Sequence, residues 1–193
     1  METREQILSA ATDAFAQQGY HQTSMDQIAK AAGLSKGAVY YFFENKAALF
    51  LAVVQDGLRY LDEQGEALRT SYYPIQQSLR RFVAAYVSAC RNYPKIAALL
   101  FTGRVEQLEP ELNDALKTLM QKQVARLCDL LQEGISAGIL RPIKPQWVIS
   151  AFAGMLANLC CDQTLPIDQT PTQEEATEVL CTLLLDGLVR RWG

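Results

Sequence analysis

Ser24 to Lys46 reads SMDQIAKAAGLSKGAVYYFFENK, and this stretch decides the fold. Ser24 stands before a helical run with Gln27 three residues on. That is the S-x-x-Q form of a capping box, in which each side chain satisfies a free backbone N–H at the helix start. Met25, Ile28, Ala29 and Ala32 then recur on one face at helical spacing. Gly33 follows, where a helix end favours a residue that tolerates positive φ. Leu34 plugs the turn, and Ser35 caps a second helix, Lys36 to Phe43, whose inner face is Val39 and Phe43. Two short helices around a tight glycine turn make a helix-turn-helix, a motif that lays its second helix in a DNA major groove.

Upstream, Thr3 to Gln18 carries Ile7, Leu8, Ala11, Ala14 and Phe15 at a 3.6-residue period, and Gly19 ends it. This predicts a first helix that packs across the other two to complete a three-helix head. Tyr20 to Thr23 is the link. His21 is the single histidine, with no second His and no cysteine near it, so it reads as a solvated loop residue and not as a metal ligand.

Downstream, every legible segment is helical. Asn45 is a good cap for a long helix from Lys46 to about Thr70, with Leu49, Phe50, Val53, Val54, Leu58 and Leu61 apolar. Breaks follow at Tyr72-Tyr73-Pro74 and Asn92-Tyr93-Pro94, bounding a helix with Leu79, Phe82, Val83, Tyr86 and Val87. A shorter helix runs from Pro94 to about Gln107 and a long one from Glu109-Pro110 to about Ala137. Pro145 to Cys161 and Thr172 to Trp192 are the last two, and Thr172 with Glu175 forms a second capping box. The predicted fold is therefore all-α, with about nine helices. Residues 1–46 form a DNA-binding head and 47–193 a larger helical bundle, and the loop Asp162 to Pro171 is the expected mobile segment.

A chain of 193 residues suits this division. The longest apolar run, Val148 to Cys161, is too short for a membrane span of ~20 residues. Met1-Glu-Thr-Arg-Glu carries no basic region leading into an apolar stretch, which predicts no secretory signal. Five scattered cysteines without C-x-x-C spacing suit reduced thiols in a cytoplasmic protein that needs no cofactor. The net charge of −3 counts against a strongly basic DNA binder. The positive charge is local instead, at Lys30, Lys36 and Lys46, which predicts a shallow salt dependence.

From about Arg4 to Leu49 the sequence resembles the TetR family of bacterial transcriptional regulators. The resemblance lies in Ile7-Leu8-x-Ala10-Ala11, Phe15, Gly19-Tyr20, Thr23-Ser24, Ile28-Ala29, Ala32 to Gly37, and Val39-Tyr40-Tyr41-x-Phe43-x-Asn45-Lys46-x-x-Leu49. Ser35, Lys36, Gly37 and Ala38 lead the second helix into the groove. There Lys36 is a donor to guanine or phosphate, and Ala38 is small enough to meet a thymine methyl. Lys46 and the backbone N–H groups beside it are expected to hold a phosphate oxygen. The resemblance adds Thr23 as a phosphate contact and Tyr40 and Tyr41 as phosphate or groove-wall contacts, which position without specifying sequence. Phe42 departs from the family, which often has a polar residue there, so no contact is carried over to it.

The last two helices are apolar over more than one face, as in a deep core or a subunit contact. The resemblance implies a homodimer through them, with Trp147, Ala151, Met155, Leu159, Leu180, Leu184 and Leu188 at the interface. Two recognition helices would then lie ~34–36 Å apart, or a larger whole-turn spacing, over a palindromic operator in double-stranded DNA. The resemblance also implies a small-molecule effector that releases a repressor. Large residues with polar tips or soft atoms in the middle helices make Tyr60, Tyr86, Cys90, Phe101, Trp147, Phe152, Met155 and Asn158 the candidate pocket. Thr102, Arg104 and Gln107 are further polar candidates, and the effector expected is hydrophobic or aromatic. Two alternatives remain from the residues alone. One is a thiol-based redox sensor using Cys90 or the vicinal Cys160-Cys161. The other is a helical enzyme or carrier, for which no nucleophile–base pair, metal cluster or phosphate loop is legible.

Overall fold

The computed structural model describes residues 3–70, 75–101, 108–161 and 171–188. Within them lie nine α-helices. The head holds α1 (Thr3–Gln18), α2 (Met25–Ala31) and α3 (Lys36–Phe42). The body holds α4 (Lys46–Thr70), α5 (Ile75–Asn92), α6 (Pro94–Phe101), α7 (Pro110–Ser136), α8 (Pro145–Leu156) and α9 (Gln173–Leu188). No strand element occurs among the described residues. The expected loop at 162–170, the break at 71–74, the side chains of Thr102, Arg104 and Gln107, and the C-terminal residues 189–193 lie outside the description.

Local chemistry sets the head. The Ser24 hydroxyl accepts from the Gln27 amide at 3.3 Å, and the Gln27 side chain accepts from the Ser24 backbone N–H at 2.8 Å. That closes the capping box of α2. At its other end Gly33 adopts φ 68°. The Leu34 N–H reaches Ala29 O at 2.9 Å and the Gly33 N–H reaches Lys30 O at 3.1 Å, which is a Schellman closure. The closure turns Leu34 onto the core and starts α3 at once. Ser35 caps α3 by accepting from the Ala38 N–H at 3.2 Å. The helix stops one residue earlier than the periodicity predicts. Phe43 leaves it in extended conformation (φ −135°, ψ 114°), and its ring stays in the core at 6 % exposure.

The body follows its proline and glycine punctuation. Pro110 opens α7, and Gly138 closes it at φ 73°. The Thr172 hydroxyl and Glu175 carboxylate form the second capping box, at 3.2 and 2.7 Å. The segment expected as one helix to Cys161 changes character: α8 ends at Leu156, and Ala157–Cys161 continue as a π-helical turn.

One apolar core runs from α1 through α4 and α5 to α8 and α9. At the joint between head and body, Phe15, Tyr20 and Phe50 share ring contacts. The Phe15 and Phe50 centroids are 4.9 Å apart and edge-on, and the Tyr20 and Phe50 centroids are 5.0 Å apart. The head therefore rests on the body through buried aromatic surface.

The interface residues predicted on the last two helices fall on different faces. Leu180 is fully buried inside the protomer, and Leu184, Met155 and Leu159 are half-buried against the same core. In α9 the inward positions are Ala176, Thr177, Leu180 and Cys181, one helical stripe. The outward apolar residues are Val179 and Leu183, at 44 % and 59 % exposure. In α8 the inward stripe is Val148, Phe152 and Leu156, and the exposed face carries Trp147, Ala151 and Gly154, continued by Asn158 in the π-helical turn. Trp147 and Ala151 are thus available to a partner, and the Leu188 side chain lies outside the description. Both faces of these helices carry large apolar residues, so sequence period alone could not choose between them.

Candidate nucleic-acid interface and effector cavity

Of the α3 side chains only Val39 turns fully inward. Its fixed position, with Leu34 and Phe43 on either side, presents the opposite face to solvent. Ser35, Lys36 and Gly37 are exposed, and Ala38 is partly so. Tyr40 is 43 % and Tyr41 85 % exposed. Lys36 Nζ pairs with Asp26 Oδ1 at 2.8 Å and lies 5.8 Å from the Tyr40 ring centre. The carboxylate beside it raises the Lys36 pKa, so the ammonium stays charged. Both partners are solvated, so a DNA phosphate can replace Asp26 at little cost.

Two of the sequence-predicted DNA contacts make bonds within the protomer. Thr23 is 2 % exposed, and its hydroxyl donates to Gly19 O at 2.8 Å and approaches Ala14 O at 3.3 Å. It fastens the α1–α2 link from inside. Lys46 Nζ donates to Tyr20 O at 3.0 Å and lies 4.4 Å from the Tyr20 ring centre. Burial, with the Glu109 carboxylate as a negative neighbour, pushes the Tyr20 pKa up. Lys46, Tyr20 and Glu109 thereby connect α4, the α1–α2 link and the start of α7. Lys46 is a brace between head and body, a role that local sequence gave no sign of.

A cavity of about 340 Å³ lies between α1, α4, α5, α6 and α7. Its size is near the lower end for small-molecule sites, ~300–1,000 Å³. Tyr60, Tyr86, Cys90 and Phe101 of the predicted pocket line it. Thr12 of α1 also lines it, so the head contributes to the wall. Of the lining residues, Tyr60, Asn92 and Tyr93 are exposed, whereas Tyr86 and Cys90 are buried. Asp56 is the one charged residue among the described lining, and Arg59 pairs with it.

The other predicted pocket residues separate from this group. Phe152 lines a second, wholly apolar cavity of about 60 Å³ between α5, α7, α8 and α9. Met155 packs against the core. Trp147 is 64 % exposed with Lys144 Nζ 4.7 Å from its ring centre, and Asn158 is exposed with its amide donating to Gly154 O at 2.8 Å. Trp147 and Asn158 are absent from both linings, because each occupies the outward stripe of α8 and the turn that continues it.

Sequence reading missed Gln123. It is 6 % exposed on α7, and its Nε2 donates to Tyr86 Oη at 3.0 Å. Burial pushes the Tyr86 phenol up to about 12, against the opposing pull of the Gln123 donor. The unfolded chain, with tyrosine near its ordinary value of about 10, loses that proton first. The contribution to stability is whole below pH ~10 and is lost as pH rises towards 12. Replacing Tyr86 with phenylalanine should make the alkaline loss of stability shallower by up to one proton, ~1.4 kcal/mol per pH unit. Urea unfolding at stepped pH between 10 and 12 measures this.

Cys90, Cys128 and Cys181 give no support to redox sensing. Burial raises the pKa of Cys128 and Cys181, and Cys90 is 1 % exposed. A raised pKa lowers the thiolate fraction on which reactivity depends. The Cys161 side chain lies outside the description.

A family model of bacterial regulatory proteins of the tetR family matches residues 7–53, and a tetracyclin repressor-like C-terminal domain matches residues 73–160. The HTH-type transcriptional regulator RutR of Escherichia coli O157:H7 is 32% identical over 149 residues, 76% of this chain and 68% of that protein. Among solved structures, FadR from Bacillus subtilis in complex with stearoyl-CoA aligns with a TM-score of 0.76 at 21% identity, covering 95% of this chain and 98% of that one. AibR in complex with isovaleryl coenzyme A and operator DNA aligns with a TM-score of 0.70 at 22% identity, with the same coverage. These two likenesses show a shared fold. No single described helix is long and apolar enough to cross a membrane.

Proposed function

The chain belongs to the TetR family of bacterial regulatory proteins, and from that premise we propose that it is a cytoplasmic, non-enzymatic repressor, released from its operator by a small hydrophobic or aromatic effector. It binds a palindromic operator as a homodimer, with residues 1–46 reading DNA and 47–193 holding effector and partner. Ser35, Lys36, Gly37, Ala38, Tyr40 and Tyr41 form the contact face. The observation that carries this reading is the exposed face of α3, held rigid by capped, buried neighbours. The FadR and AibR structures were solved with acyl-CoA ligands, and an apolar tail of that kind suits the lining of the cavity here.

The cavity supports the coupling because α1 forms part of its wall while α4 joins head to body. An effector shifts the DNA-binding equilibrium only by its difference in affinity for the two arrangements, and DNA must weaken effector binding by the same factor. Selection of DNA by the purified protein, read by sequencing the bound fraction, tests the first half. A palindromic motif is expected; its absence at low salt with folded protein would refute operator binding by the unaided protein. Operator affinity measured with and without effector tests the second half, and an unchanged affinity would sink the coupling.

Lys36 offers a sharper prediction. With one phosphate contact per protomer, Lys36→Ala should flatten the slope of log affinity against log salt by roughly 1.8 for the dimer. Titrations at several salt concentrations measure it, and an unchanged slope would assign Lys36 to the Asp26 pair alone.

A further inference from the structure

We propose that the buried Tyr86–Gln123 pair is the polar contact of the effector cavity, and that it selects an apolar ligand carrying one neutral carbonyl. The proposal rests on the reading of that cavity as the effector site. Tyr86, on α5, is buried and lines the cavity; Gln123, on α7, is not in the lining and stands behind it. An amide nitrogen only donates, so Tyr86 Oη is the acceptor in this bond. The phenol keeps its own proton for a partner other than Gln123, and Gln123 fixes where the oxygen sits. Around it the lining is apolar or soft, with Val54, Leu61, Cys90 and Met120.

The same surroundings determine the charge of the ligand. Asp56, already paired with Arg59, is the one charged residue of the described lining, and it stands on exposed α4 surface. A carboxylate at the Tyr86 end would lose its hydration without gaining a cation, whereas a ketone, ester or thioester oxygen needs one donor and finds it. A site built around a buried donor discriminates strongly against ligands lacking the acceptor, because the donor is then left unpaired. The pair also bridges α5 and α7, so a bound carbonyl would be sensed on two helices of the body.

The test uses two aromatic probes of the same shape, 2-acetylnaphthalene and 2-ethylnaphthalene, which differ in one carbonyl oxygen. Their affinities are measured calorimetrically on the full-length dimer of wild type, Tyr86→Phe and Ala89→Phe. Ala89 lines the cavity, and its replacement fills that space. Gly57→Leu is a second filling variant, since a Cβ there meets nothing within 4 Å. The expected result is that Tyr86→Phe lowers the ketone-to-hydrocarbon affinity ratio about five- to tenfold, with hydrocarbon affinity nearly constant. The filling variants should abolish binding of both probes. If they do so while the ratio is unchanged in Tyr86→Phe, the cavity reading stands and the Tyr86 assignment is overturned. If wild type binds neither probe, or the filling variants bind both as wild type does, the cavity reading fails and this inference with it.

Discussion

Replacing Leu183 with glutamate should convert the dimer to a folded monomer and lower operator affinity by at least about 100-fold. Leu183 is 59 % exposed on α9, one turn from Val179 at 44 %. Trp147, at 64 %, stands on the outward face of α8. Large apolar side chains exposed together on neighbouring helices mark a surface that another molecule covers. In a two-fold interface each residue of the patch is present twice, so one substitution buries two carboxylates. Burying an unpaired charge costs several kcal/mol, enough to dissociate a modest dimer. The protomer itself loses little, because the side chain stands in solvent there. The second head of a dimer binds at the high effective concentration that linkage provides, and its loss costs roughly 10²–10⁴ in affinity. Sedimentation, circular dichroism and operator titration read the three quantities separately. A Leu183→Glu protein that stays dimeric would move the interface to another face.

The contrast between Leu183 and Leu180 shows what the sequence could and could not reveal. Both are leucines in an apolar run, and the start of α9 falls within one residue of the predicted one. Which stripe faces the protomer depends on α5, packed against α9 from a distant part of the chain. The head was legible because its rules are local: Ser24 with Gln27, Gly33 at positive φ, and Ser35 over Ala38 each act within a few residues. Thr23 and Lys46 were not. Lys46 turns inward to a carbonyl 26 residues away, a contact that no window of helical period contains. The cavity divides in the same way. Tyr86, Cys90 and Phe101 lie on inner stripes that converge, whereas Trp147 and Asn158 share their chemistry and lie on an outer one. Gln123 was passed over because a polar residue on a long amphipathic helix reads as solvated until its partner is known.

Phe15→Ala should remove operator binding while leaving the dimer intact. Phe15 is fully buried, edge-on to Phe50 at 4.9 Å and stacked on Tyr20 at 6.0 Å. Truncating such a ring costs about 3–5 kcal/mol, from lost transfer energy and the cavity left behind. A head of this size holds little more than that, since a single core below about 70 residues rarely supplies over ~3–5 kcal/mol. The loss falls on the joint itself. Tyr20, which leans on Phe15, also receives Lys46 from α4 and reaches Glu109 at the start of α7. Without the ring, α1 loses its seat against α2 and α4, and the recognition helix, packed on α2, loses its fixed orientation. The proposed interface on α8 and α9 lies elsewhere and should keep its partner. Phe15→Leu, which retains most of the volume, should cost less than about 1.5 kcal/mol and keep operator binding. Sedimentation, urea unfolding and operator titration on the pair of variants decide the matter. Wild-type operator affinity in folded Phe15→Ala would mean that α2 and α3 hold their geometry without α1. The aromatic joint would then have no part in DNA recognition.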